Sequence, residues 1–416
     1  MSKLIHDSVH GIIELSPLCL KIIDTPEFQR LRDIKQLGTC SFVFPNGNHS
    51  RFEHCIGVCY LARTLLKTIQ KNQPELKINN RTIELVSIAA LCHDLGHCCF
   101  SHMFDDEFLN QSESEYRYHE ARSGLLLTKI VKENDLDILD QEIELIKTLI
   151  NPTGEEKGFI YNVVSNYLND LDVDKLDYIS RDTKNLGLSY GFDHTRLISQ
   201  ARVIDDEICY PEKECFNVYE LFHTRYRLHK EIYTHTVVKS IEYMVRDALI
   251  LADPVLKISD SINNPDEFIK ITDCIINFIE YSKNKKLKPA QDLIKRLRQR
   301  KLYKFVDDIT LDPKYKYKYT EKDFIFPGID LTIDNIIVQN MKIGYTGDRT
   351  NPVNNVSFYK SKNLNESFKL SKNKVSRLLP REFQENIVRL FCKDSDKLEE
   401  AKKAFKLFQK NYKHII

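Results

Sequence analysis

The side chains able to do metal chemistry crowd into one stretch, from RFEH at 51–54 through LCHDLGHCCFSH at 91–102 to YHE at 118–120. It supplies His54, His93, Asp94, His97, His102 and His119. Imidazole is a common ligand of catalytic metals, and a neighbouring carboxylate adds negative charge and a hard oxygen donor. One isolated histidine would read as a core or surface residue. So many ligand types within a few turns point instead to a metal-dependent site.

The elements that must hold these groups can be read from periodicity. IELVSIAAL, ahead of Cys92, is apolar almost all round, which predicts a buried helix over 81–95 with His93 and Asp94 at its inner end. If that helix ran on, His93 and His97 would share a face. Gly96 weakens a helix by about 1 kcal/mol relative to alanine, so a loosened last turn at His97 is the other expectation. Residues 1–15 predict a short strand or hairpin. Ser16-Pro17 and Thr25-Pro26 resemble helix starts, and 26–37 repeats Phe28, Leu31, Ile34 and Leu37 at helical spacing. A turn at 45–48 leads into a helix carrying Arg51 and His54 to about Asn72. Further helices are expected at 119–133, 140–150, 158–169 and 174–183, with one or two across 217–252 ended by Asp253-Pro254. Beyond Pro254 the texture changes: helices at about 265–281 and 289–306, β-like stretches within 323–360, and a charged final helix at 380–412. This predicts a mainly α protein, with a helical domain at 1–254 and a smaller mixed α/β lobe at 255–416.

Composition sets the outer limits. The chain has 416 residues, 42% of them apolar, and a formal net charge of +1, which allows a sizeable core and gives no global case for nucleic-acid or membrane binding. The Lys-rich runs at 283–288 and 314–322 read first as solvated faces and only second as nucleic-acid contacts. No apolar run is long enough to span a membrane, and MSKLIHDSVH lacks a signal core. Eleven cysteines without zinc-type CxxC pairs predict reduced, buried thiols in a cytoplasmic or nuclear compartment.

RFEH, CHDLGHCCFSH and the downstream LDVDKLDYISRD together resemble the HD-domain phosphohydrolase superfamily. HGIIELSP, IIDTPEFQRLRDIKQLG, FVFPNGNHSRFEHCIGVCYLA, FHTRYRLHKEIYTH and NKVSRLLP resemble, in the same order, the SAM- and HD-domain deoxynucleoside triphosphate triphosphohydrolases. The resemblance runs from about Lys3 to Phe391. It implies an enzyme with an HD fold that hydrolyses dNTPs to deoxynucleosides and inorganic triphosphate. Such a reaction needs an activated water, cations for the phosphates and a proton for the leaving 5′-oxygen.

By the same resemblance, His54, His93, Asp94 and Asp174 hold one transition metal (iron, manganese or zinc), and Mg²⁺ arrives with the triphosphate. His102 is implied as proton donor, with His97 and His119 steadying the phosphate. Arg51, Lys175 and Arg225 match phosphate contacts. Gln36, Tyr178 and Asp182 match those of the 3′-hydroxyl, while Leu37 and Tyr233 crowd the 2′ position. A regulatory set is implied as well. Lys3, Asp24, Gln29 and Arg32 match a GTP activator site; Val43, Phe44, Arg196, Lys213, Asn217, His235, Arg300, Lys304 and Lys372 match positions around it and an adjoining dNTP activator site, which implies a homotetramer. The chain departs from the family pattern at His6, Pro211 and Thr236, and it begins almost at the HD region, without the SAM module. Two alternatives stay open. One is an HD phosphohydrolase of nucleoside monophosphates or cyclic nucleotides, which would have no use for the regulatory set. The other is a non-catalytic nucleotide- or ssRNA-binding assembly, against which the retained His97, His102 and His119 speak.

Overall fold

The computed structural model describes residues 2–312, 318–346, 350–370 and 372–411, with the side chains of 372 and 373 excepted. The protein is mainly helical. Its strands are β1 Lys3–Asp7, β2 Gly11–Leu15, β3 Arg202–Ile204, β4 Glu207–Pro211, β5 Lys304–Leu311, β6 Ile336–Gly344, β7 Ser357–Lys360, β8 Asn363–Lys369 and β9 Gln384–Cys392. Two compact units divide the chain. The first takes 1–225, 257–275 and 351–379; the second takes 226–256, 276–350 and 380–416.

In the first unit the N-terminal hairpin pairs β1 with β2, and Ser16 caps the next helix, Pro17–Ile23, by accepting from Cys19 N at 3.2 Å. The helical reading of 26–37 holds only in part. Pro26–Gln29 is followed by a tighter turn, Arg30–Asp33, and Ile34 is already extended. The long helix Arg51–Asn72 starts where the Pro45–Asn48 turn delivers it, with the Glu53 carboxylate accepting from Ser50 N at 2.9 Å. It packs against the helices Asn80–Cys92 and Val173–Asn185. The helices His119–Glu133 and Asp140–Ile150 fall where periodicity puts them. The helix expected over 158–169 does not form beyond the short turn Phe159–Asn162. Asn166 explains why: its side chain accepts from Leu168 N at 3.1 Å and donates to Leu171 O at 3.0 Å, so a side chain replaces the helical ladder. A four-stranded sheet, ordered β3-β4-β7-β8, completes this unit.

In the second unit the helix Thr236–Leu256 continues past Pro254, the expected stop, by two residues. Lys288–Arg298 is helical, but β5 takes over the end of the helix expected to reach 306. The charged helix expected over 380–412 is also corrected. Gln384–Cys392 is β9, the central strand of the sheet β5-β9-β6, and only Leu398–Asn411 is helical. QENIVRLFC is buried at nearly every residue because both of its faces are covered, Val388, Leu390 and Cys392 packing with Phe405 and Phe408 and Phe391 meeting Tyr243, so it lacks the alternation that would mark a half-exposed strand. Ala401, Ala404, Phe405 and Phe408 of that last helix pack with Phe324, Val388 and Leu390 into the unit's core. The Lys-rich run at 314–322 lies partly outside the described residues. Among the described residues no helix is long and apolar enough to cross a membrane. All cysteines are free thiols, and most are buried.

Candidate active site

The buried helix Asn80–Cys92 ends one residue before the histidine–aspartate pair, so His97 lies on a turn rather than on a continued helix. In that turn His97 N donates to Asp94 O at 3.1 Å. Gly96 is required by space: a Cβ there would come within 2.1 Å of His119 O and 2.5 Å of Ser123 N. Gly96 N donates instead to Ser123 Oγ at 2.8 Å, and Ser123 Oγ donates back to His93 O at 2.7 Å. Arg122 Nε reaches Gly96 O at 2.9 Å, and the Arg30 guanidinium donates twice to His97 O at 2.8 and 2.7 Å. The loop is therefore pinned by the helices beside it before any ligand is considered.

One group of ligands forms around His54. His54 Nε2 lies 3.2 Å from His93 Nε2, 3.1 Å from Asp174 Oδ1 and 3.4 Å from Asp94 Oδ2. His93 Nε2 is 3.4 Å from both Asp94 Oδ1 and Asp174 Oδ1. Donor atoms of His54, His93 and Asp174 all lie within 4.8 Å of one another, a spacing that one metal ion could bridge. The electrostatics fit a cation. Burial opposes charging His54, yet Asp174, Asp177 and Asp94 outweigh it and hold the imidazole well above its ordinary range. Burial likewise works against an ionised Asp94, but Arg51 and His93 keep that carboxyl well below the usual range. Two imidazoles whose affinity for positive charge is raised, beside two carboxylates kept ionised, suit a divalent metal ion.

A second group lies across Asp94. His97, His102 and His119 also have ring nitrogens within 4.8 Å of one another. His97 stacks on His119 at 3.8 Å between ring centres, and His102 meets the His97 ring edge-on at 4.9 Å. Asp94 Oδ1 is 3.4 Å from His97 Nε2 and 4.0 Å from His119 Nε2, so one carboxylate faces both groups. His97 is fully buried and neither ring nitrogen has a hydrogen-bond partner. Burial, Arg51 and His119 push it well below its ordinary range. The enclosing protein, Arg51 and His119 also lower His102, although that ring is solvent-accessible. Both are neutral near pH 7 until negative charge arrives beside them.

Two carboxylates of this site are absent from the sequence reading. Asp105 Oδ2 accepts from His119 Nδ1 at 3.0 Å while Arg122 grips its other oxygen. Asp177 Oδ2 lies 2.8 Å from His54 Nδ1, its Oδ1 lies 2.6 Å from His10 Nε2, and Arg181 Nε reaches it at 2.8 Å. The available signal was helical spacing: Asp177 follows Asp174 by three residues on one helix.

Comparison with known proteins agrees with this geometry. The HD domain family matches residues 51–182 and the HD associated region matches 192–317. The Dictyostelium discoideum deoxynucleoside triphosphate triphosphohydrolase SAMHD1 homolog is 44% identical over 99% of this chain and 81% of its own length. This chain belongs to the SAMHD1 family. Human SAMHD1 is 37% identical, covering 95% of the chain and 71% of the human protein. A mimivirus HD domain-containing protein is 36% identical over 98% of the chain and 96% of its own length.

The remaining candidates of this SAMHD1-family chain are placed as follows. Arg51 is buried, pairs with Asp94 and donates to Ser101 Oγ at 2.9 Å. Gln36 is held by His49 O at 3.0 Å and keeps a buried, unpartnered Oε1; Leu37 follows it directly. Asp182 is buried 2.7 Å from His49 Nε2, and burial raises Tyr178 against the opposing pull of Arg225. Lys175 is engaged with Asp170 at 2.9 Å and Asp172 at 3.0 Å. Tyr233 belongs to the second unit, edge-on to His229 in a wide π-type turn.

Of the regulatory candidates, Lys3 and Asp24 are exposed, Gln29 accepts from Arg32 Nε at 2.9 Å, and the Arg32 guanidinium lies 3.5 Å above the Phe52 ring. Val43 and Phe44 close the tight turn Gly38–Phe42. Arg196 pairs with Glu214 beside Lys213, and Asn217 brackets Asp193 with two bonds of 2.9 Å. His235, Arg300 and Lys304 sit in the second unit, Arg300 with φ of 60° just before β5. The side chain of Lys372 lies outside the described residues.

Proposed function

We propose that this chain is a metal-dependent hydrolase that converts deoxynucleoside triphosphates to deoxynucleosides and inorganic triphosphate. The carrying observation is Asp94, set between the His54/His93/Asp174 group and the His97/His102/His119 group. The names of the relatives, which cover nearly the whole chain, support the substrate class.

His54, His93, Asp94 and Asp174 would hold the metal, which when bound supplies Lewis-acid charge and lowers the pKa of water. Arg51 and Arg225 place fixed positive charge where phosphate charge is redistributed, and Lys175 joins them once it leaves its aspartate partners. His102 takes up a proton as the triphosphate approaches and passes it to the departing 5′-oxygen. His119, oriented by Asp105, and His97 steady the phosphate. Gln36, Tyr178 and Asp182 bind the 3′-hydroxyl. Leu37 leaves a 2′-hydroxyl without a partner, which costs roughly 1–3 kcal/mol. The triphosphate would carry a magnesium ion with it, since Mg²⁺ prefers phosphate oxygens and water. GTP and a dNTP, held by the Lys3/Asp24/Gln29/Arg32 set and its surroundings, drive assembly of an active homotetramer.

The test is a product analysis. Incubation with Mg²⁺, GTP and dATP is expected to release deoxyadenosine and inorganic triphosphate, resolved by ion-exchange chromatography. Orthophosphate or pyrophosphate as the product, or no turnover under any activator, would overturn this reading.

A further inference from the structure

The loop that presents His102 is built in an unfavourable conformation. Phe100 and Ser101 have φ of 59° and 57°, a region that non-glycine residues rarely occupy, here twice in succession. The segment facing it is crowded as well. Gly38 has φ of 51°, and a Cβ there would lie 2.9 Å from Phe100 O. Something must hold these two stretches together.

The holder is Asp273, a residue of the 257–275 segment that no motif marks. Its Oδ1 accepts from Phe100 N at 2.7 Å and its Oδ2 accepts from Lys35 N at 3.0 Å. Its own N–H donates to Asp33 O at 3.1 Å. Ser101 Oγ closes the circuit, donating to Lys35 O at 2.8 Å and accepting from Arg51 Nε at 2.9 Å. Each oxygen of this one carboxylate thus takes a backbone amide from a different stretch. Phe100 leads two residues later to His102, and Lys35 leads directly to Gln36 and Leu37. Among the described residues, none of these Asp273 hydrogen bonds goes to a side chain assigned to the reaction.

We propose that Asp273 is a positioning residue that fixes the spacing between His102 and the Gln36–Leu37 sugar wall, tying proton donation to the choice of deoxyribose over ribose. The proposal rests on the dNTP reading above. Without the clamp the loop relaxes from its left-handed turn, His102 moves away from the leaving oxygen, and the wall at Leu37 loosens enough to admit a 2′-hydroxyl. Displacements of about 1 Å in such a constellation cost on the order of 100-fold in rate.

The experiment compares wild type, Asp273→Ala and Asp273→Asn. It measures kcat and KM for dATP and ATP, bound metal, and thermal unfolding. Asp273→Ala is expected to lose about 10- to 100-fold in kcat for dATP and to narrow the dATP/ATP preference by about 10-fold, with metal content retained. Asp273→Asn preserves volume but turns an NH₂ towards one of the two amides, so it shifts the same way by less. A purely structural role predicts lower activity in proportion to the folded fraction, with the preference unchanged, and that result overturns the proposal. Preference is also read as the ratio of Kd values for analogues of dATP and ATP in which a methylene replaces the 5′-oxygen, so that the scissile bond is absent and the readout needs no turnover. A wild type that cleaves no dNTP removes the dNTP reading alone; an analogue ratio that is unity in wild type, or identical in Asp273→Ala, removes this one.

Discussion

Asp177 serves two charges at once, bonding the far nitrogen of His54 while neutralising Arg181. A carboxylate behind a metal-binding imidazole fixes its tautomer and raises its basicity. Asp177→Asn is therefore expected to weaken metal retention by about 10- to 100-fold in a chelator competition, although Asp177 is not itself a proposed ligand; undiminished retention would dismiss that role. Asp273 yields a pH prediction. Burial pushes its carboxyl up to about 6, against the opposing pull of the Phe100 and Lys35 amides, the Lys35 ammonium and Arg51, with the Cys99 thiol also facing it. The folded protein then binds a proton that the unfolded chain releases near pH 4, so this group's contribution is complete below about pH 4 and is lost as pH rises to about 6. The loss is on the order of 3 kcal/mol. Urea unfolding between pH 4 and 7 should show a steeper decline for wild type than for Asp273→Asn; parallel curves would refute it. Such residues explain what sequence reading can and cannot reach. His54, His93 and Asp94 declare themselves through type and spacing and Asp177 stands within the LDVDKLDYISRD motif, whereas Asp105 and Asp273 look like ordinary surface acids until the fold turns them inward.

At the scale of elements, the helices carrying the candidate ligands were legible because their signals are local. IELVSIAAL is apolar almost all round, Ser50 and Glu53 mark a helix start, and Asp172 accepts from Lys175 N at 3.0 Å to open the helix that carries Asp174. The failures arose where a distant segment decides. β9 reads as part of a charged helix because its strand partners β5 and β6, and the helices Thr236–Leu256 and Leu398–Asn411 that cover its faces, all lie outside its own stretch. β3 and β4 turn through Asp205 and Asp206, both left-handed, and β4 pairs in parallel with β7 far along the chain. The stop at His93 was half legible, since Gly96 suggested a loosened turn at His97 while the helix was expected to reach 95. A turn at Asp94–Gly96 costs helical hydrogen bonds, and it is stable because Ser123, Arg122 and Arg30 from other elements take up the freed carbonyls and amides.

For the whole molecule the question is what switches the site on. Net charge is only +1, so no global field draws polyphosphate in, and any recognition must come from local clusters. The proposed GTP set is Lys3, Asp24, Gln29 and Arg32, all of the first unit. Asp24 closes the helix Pro17–Ile23, with its carboxylate exposed and able to accept from a guanine's N–H groups. Basic side chains brought face to face between copies repel until a polyphosphate neutralises them. Nucleotide bound by the assembly but not by the separated chain shifts the equilibrium by mass action, by about 2.7 kcal/mol at a hundred times Kd. Light scattering and dATP hydrolysis, each with and without GTP, should show mass and rate rising together in wild type. Asp24→Ala should show neither rise while keeping its bound metal, because the carboxylate that reads the base is gone and the ligands around His54 are untouched. A wild type already tetrameric and fully active without nucleotide would make these residues ordinary surface charge and leave the catalytic reading to stand by itself.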